Sequence, residues 1–206
     1  MYRAIHSRRD VRSHFVSDEI EPEVLRRVLE AAHAAPSVGL SQPWRFIVVR
    51  DKATRGAVHA AFLEANAAAS KIYSDERAEH YGRLRLEGIL EAPVNLCVLC
   101  DENPARGNGL GRQTIPQTAV YSTVCAIQNL WLAARAEGLG VGWVSIIDPD
   151  ALRTIFAVPS HLTIVAYLCL GYVRSFAPEP DLITAGWEER APLETVVYEE
   201  RFPPTL

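Results

Sequence analysis

Arg8, Arg9 and Arg12 place three guanidinium groups around the carboxylate of Asp10 within one short run, Arg8-Arg9-Asp10-Val11-Arg12. The guanidinium fork matches the oxygens of a phosphate, so such a tract can converge on a phosphorylated ligand. Arg190, in the distant run Arg190-Ala191-Pro192-Leu193, is a further candidate for the same anion. The alternative is a solvated charged turn in which Asp10 pairs with a neighbouring arginine. A carboxylate beside a bound dianion can also accept or relay a proton.

Two other stretches carry polar groups among small or apolar residues. Gly142-Trp143-Val144-Ser145-Ile146 ends an apolar run with a hydroxyl. A lone serine at a strand end commonly bonds local backbone. No Gly-x-Ser-x-Gly elbow is present, which argues against a hydrolase nucleophile. The segment from Pro36 to Trp44 is turn-rich, and Gly39 permits a backbone conformation and a close approach that other residues resist. Ser37 and Gln42 within it offer donors and acceptors to a ligand.

Other patterns carry less. Gly107-Asn108-Gly109-Leu110-Gly111 sits where a dinucleotide fingerprint would, but Arg112 occupies the last glycine position and no repeated βαβ unit follows. Cys97 and Cys100 have CxxC spacing inside an apolar strand, where residues three apart point to opposite faces. No second CxxC completes a tetrahedral zinc site, and the six histidines are scattered, so no metal is expected.

The elements that must position these groups read as follows. Glu21-Pro22-Glu23 opens a helix whose Val24, Leu25, Val28, Leu29 and Ala32 recur at helical spacing, and Pro36 stops it. A short strand follows at Trp44–Val49, then a helix over Ala53–Ala68. Ser70–Leu90 reads as a partly exposed helical excursion, and Pro93–Asp101 as a strand. A long helix, Thr114–Ala136, is apolar almost all round, which suggests burial against a second subunit as well as its own sheet. Val141–Ile146 is a strand, Pro149–Phe156 a short helix and Leu162–Val173 a last strand. From Arg174 a proline-rich arm runs on to the apolar tail Leu193–Tyr198. The order is α+β, read as one domain over 1–206.

With 206 residues, 49% hydrophobic and 22% charged, the chain can bury a substantial core. A formal charge of -4 gives no general attraction for nucleic acid or anionic lipid, so an anion site has to be built locally. Its start has no secretory apolar core and no run is long enough to span a membrane; a cytoplasmic address is expected.

Taken together, Arg8–Arg12, Pro36–Trp44, Leu84–Pro93 and Gly140–Ser145 resemble the flavin-binding nitroreductase fold. More narrowly they resemble the branch that destroys reduced FMN to make 5,6-dimethylbenzimidazole, the lower ligand of vitamin B12 (the BluB family). The resemblance implies a mostly antiparallel central sheet flanked by helices, a lid at about 70–92, and a C-terminal arm at about 174–206 reaching a partner subunit. It implies a homodimer, with reduced FMN as substrate, dioxygen as co-substrate, erythrose 4-phosphate as second product, and a separate flavin reductase. Arg8, Arg9, Arg12 and Arg190 would hold the phosphate. Val11, Ser37, Gly39, Gln42 and Leu86 would line the flavin, and Asp10 and Ser145 would act on it. The competing expectations are an NAD(P)H-dependent nitroreductase, a reductive dehalogenase with a similar lid, or a non-catalytic flavin carrier.

Overall fold

Four strands make one sheet: β1 (Trp44–Val49), β2 (Val94–Asp101), β3 (Leu139–Val144) and β4 (Leu162–Tyr172). Their order is β1-β2-β4-β3 and every neighbouring pair is antiparallel. The helices are α1 (Tyr2–Ser7), α2 (Pro22–His33), α3 (Lys52–Ala69), α4 (Asp75–Gly82), α5 (Thr118–Ala136), α6 (Pro149–Ile155) and α7 (Asp181–Thr184). These come from a computed structural model that describes residues 1–202. The last four residues of the expected arm lie outside the described residues.

Both faces of the sheet are covered, so its central strands are apolar throughout rather than alternating. Leu96, Val98, Leu168 and Leu170 pack with Leu25 and Val28 of α2 and Leu130 of α5. Cys97, Leu99, Tyr167 and Cys169 pack on the other side with Val58 and Phe62 of α3 and Leu152 of α6. Each fully buried leucine contributes about 2 kcal/mol by leaving water. The CxxC thiols part as strand geometry requires: Cys97 belongs to the α3 side, whereas Cys100 lies against Thr123 of α5. The α+β class and antiparallel sheet agree with the sequence reading.

Three boundaries differ from that reading by two residues or more. α5 starts at Thr118, not Thr114, because Pro116 drives Ile115 away from helical backbone. β3 starts at Leu139, because Gly138, at φ +81°, turns the chain directly out of α5. It also stops at Val144, whose partner is Tyr167, leaving Ser145 just beyond the ladder. The short α1 had no signal of its own; contacts with α5 hold it, among them Arg135 Nε donating to the Ser7 carbonyl at 3.1 Å. Among the described residues no helix is long and apolar enough to cross a membrane.

Burial pushes the Cys97 thiol up to about 12 and raises Cys100 and Cys169 as well. An unfolded chain ionises these thiols near 9, so above that pH it holds fewer protons than the folded one. Stability should therefore be constant below about pH 8 with respect to these groups and fall as pH rises from about 9 toward 12. Urea midpoints across that range measure this; a midpoint that does not fall would contradict the buried, protonated thiols.

Candidate active site

The Arg8–Arg12 segment lies along the open edge of β3. Val11 N–H donates to the Val141 carbonyl at 2.9 Å, and Asp10 and Val141 form a parallel bridge. Two glycines make room for it. A Cβ on Gly142 would stand 2.0 Å from the Val11 carbonyl oxygen, and one on Gly140 would stand 3.0 Å from a Val11 methyl. The glycines of Gly140-Val141-Gly142 are thus a trough cut to receive the arginine-rich segment.

Asp10 is held from two sides. Its Oδ1 accepts from the Trp143 backbone N–H at 3.0 Å, and its Oδ2 accepts from Arg12 Nη2 at 2.6 Å. Arg12 is mostly buried, and its Nε has no hydrogen-bond partner. A partly buried ion pair keeps more of its strength than a fully exposed one.

The other two arginines part company. Arg8 lies over the Trp131 ring, 5.1 Å from its centroid, which leaves guanidinium N–H edges uncommitted. Arg9 is spent on backbone: Nε donates to the Ala177 carbonyl at 3.0 Å, Nη1 to those of His6 and Arg8, and Nη2 to that of Pro178. It ties the N-terminal segment to the root of the arm. Trp131 Nε1 donates to the Arg9 carbonyl at 3.2 Å, and the Trp131 and Trp143 rings lie 6.4 Å apart. Ser145, exposed, stands two residues past Trp143 along the same chain direction.

The second loop is fixed on the same long helix. Ser122 Oγ accepts from Val38 N–H at 3.1 Å, and Ser37 Oγ accepts from Gln42 N–H at 3.1 Å. Gly39, Leu40 and Gln42 all have positive φ, an unusual cost for the two that carry side chains. The Gln42 amide faces His33, whose Nδ1 accepts from Trp44 Nε1 at 3.1 Å. Gln42 Nε2 lies 3.4 Å from His33 Nε2. The glycine run rejected as a dinucleotide motif packs here, since a Cβ on Gly107 would stand 2.6 Å from the Gly39 carbonyl oxygen.

Ser122 and Trp131 are separated by nine residues of α5, about 13 Å of axial rise. The helix therefore carries the Ser37–Gln42 loop near one end and the Arg8–Asp10–Trp143 cluster near the other. Leu86 is part-buried at the border of the α3-side core. Arg190 is exposed on the arm, and among the described residues no ion pair joins it to Asp10 or to the residues around it. Sequence reasoning passed over Trp131, Ser122 and His33. Trp131 and Ser122 look like filler on an over-apolar helix; their buried polar atoms, which need partners, are the available signal.

A model of the nitroreductase family matches residues 5–172. The chain belongs to the nitroreductase family. A 5,6-dimethylbenzimidazole synthase of Rhodospirillum rubrum is 51% identical over 185 residues, covering 90% of this chain and 87% of that protein. One of Rhodobacter capsulatus is 46% identical over 187 residues, covering 91% and 90%. Within the family, the chain groups with these synthases. Among solved structures, oxidized iodotyrosine deiodinase bound to FMN and 3-iodo-L-tyrosine aligns with TM-score 0.78 at 22% identity, covering 98% and 99% of the two chains. That likeness is one of fold.

Seating the arginine segment in the glycine trough yields a direct test. Gly142→Ala should destabilise the protein by about 3 kcal/mol, since the Val11 backbone cannot yield as a flexible side chain would. Urea unfolding reads the effect, and an unchanged midpoint would contradict the close contact.

Proposed function

We propose that this enzyme consumes reduced FMN with dioxygen and releases 5,6-dimethylbenzimidazole and erythrose 4-phosphate, supplying the lower ligand of vitamin B12. The observation that carries the reading is the doubly held Asp10 carboxylate, set between Arg12 and the Trp143 amide with Ser145 just beyond. Its charge is fixed beside cations, where a phosphorylated substrate is attracted and a proton acceptor is already oriented.

The residues fit such a substrate. Arg12 keeps a buried Nε without an acceptor and Arg8 has free N–H edges, which suits them to a phosphate. Arg9 adds positive charge while its N–H groups hold the chain, and Arg190 completes the clamp from the arm. Ser37, Gly39 and Gln42 serve the ring and ribityl chain, with Val11 and Leu86 as apolar walls. Asp10 accepts or relays a proton near the ribityl chain, and Ser145 hydrogen-bonds the reacting ring. Dioxygen supplies the oxidising power for the ring cleavage.

The segment at 70–92 acts as a lid that keeps water from the reacting flavin. Its α4 is moored to the arm: His80 Nε2 meets the Ala185 carbonyl at 2.5 Å, and Arg77 lies 4.2 Å from the Trp187 ring centroid. A separate flavin reductase delivers the reduced flavin. That role suits a chain whose glycine-rich loop packs against Gly39 instead of cradling a dinucleotide.

The working unit is a homodimer. Tyr121, Val124 and Cys125 form an exposed stripe on α5, and Leu193, Val196, Val197 and Tyr198 are exposed on the arm. A stripe of this kind on a long helix, together with an apolar arm, is suited to a second copy.

Mixing protein, reduced FMN and oxygen and separating the products by chromatography tests the reaction. Formation of 5,6-dimethylbenzimidazole is expected; return of oxidised FMN alone would refute it, and steady NADPH turnover with intact flavin would favour a nitroreductase. Asp10→Asn, which keeps the Trp143 acceptor, and Ser145→Ala should bind FMN yet form product at least about a hundredfold more slowly. Parental rates in both would remove these residues from the chemistry. For assembly, Val124→Glu should shift the sedimenting species from dimer to monomer, and a persisting dimer would place the interface elsewhere.

A further inference from the structure

Arg55, in the first turn of α3, is a buried charge with no ion-pair partner among the described residues. It is 7% exposed, and its Nη1 donates to the carbonyls of Leu90 at 3.1 Å and Ala92 at 2.6 Å. Its Nε is buried with no partner, and no carboxylate pairs with the side chain among the described residues. A structural tie to the turn before β2 needs only the Nη1 edge. A guanidinium buried without an ion pair is costly, and native structures commonly pair it with an anion.

A cavity of about 780 Å³ adjoins it, within the range of small-molecule sites. Arg50, Lys52 and Arg55 line it from the β1–α3 junction, and Ser17 and Glu19 from the segment before α2. Arg50 and Lys52 also form no ion pair among the described residues. Asp51 between them is turned back: its carboxylate accepts from Thr54 N–H at 2.7 Å and Thr54 Oγ1 at 2.8 Å, and these bonds hold its carboxyl below the usual range. Glu91, also on the lining, is paired with Arg85 at 2.6 Å.

We propose that this cavity binds the phosphate of a small hydroxylated phosphomonoester, separately from the flavin site. The three cations take the phosphate. Ser17 and Glu19 take hydroxyl groups, because a carboxylate repels a bare anion but accepts from a hydroxyl. None of the arginine, aspartate or serine residues assigned above to the flavin lines the cavity.

Calorimetric titration of the protein, with its flavin site first saturated by oxidised FMN, tests this with two probes, ribose 5-phosphate and inorganic phosphate. One ribose 5-phosphate per chain should bind, more tightly than inorganic phosphate. Because Arg55 also holds a turn, the decisive variant is the double change Arg50→Ala with Lys52→Ala, both exposed positions. It should weaken ribose 5-phosphate binding by about tenfold or more while FMN affinity is unchanged. Glu19→Gln should bring inorganic phosphate closer to ribose 5-phosphate in affinity. Absence of binding by either probe, or undiminished binding in the double variant, would overturn the site. Equal affinity of the parental protein for both probes would overturn the assignment to hydroxylated esters.

Discussion

The contact between the Val11 backbone and Gly142 governs the rest of the candidate site. A strand edge ordinarily presents unpaired N–H and C=O groups, and here that edge is spent on the arginine-rich segment. The Trp143 N–H that the segment's backbone leaves free goes to the Asp10 side chain, so the carboxylate is positioned by the sheet itself. Arg12 then takes its direction from Asp10. Rigidity passes from the sheet, through one amide, to a charged pair. Positioning of this kind is worth more to catalysis than charge alone.

α5 serves as the second frame. One helix fixes the Ser37–Gln42 loop through Ser122 and supports Arg8 and the Arg9 carbonyl through Trp131. Because both attachments sit on one rigid element, their separation does not vary with loop motion. The same helix offers an apolar outer stripe, so the residues that would meet a second copy lie one helix radius from those that hold the site.

Much of this was legible in the residues. Helical periodicity marks α2, apolar runs mark β1, β2 and β4, and the spacing of Cys97 and Cys100 already separates their thiols onto two faces. Arg8–Arg12 stands out through its charge density in an acidic chain, and the wider resemblance ties it to flavin chemistry. What the sequence withholds is the division of labour among the three arginines. Arg9 looks equivalent to Arg8 and Arg12, yet its hydrogen bonds go to Ala177 and Pro178, residues more than 160 positions away. A pairing of such sequence separation leaves no periodic trace. The starts of α5 and β3 were displaced for local reasons, Pro116 and Gly138, that apolar patterning alone underweights.

The abutment of Gly39 and Gly107 restricts how this architecture can change over time. Both partners already lack a side chain, so neither offers anything to trim when the other grows, and compensation at the paired position is closed off. Lineages that refashion the ligand pocket must therefore leave this joint alone. Novelty has to enter through neighbours such as Leu40, whose side chain points outward, and the two loops are inherited as a single immovable hinge-post.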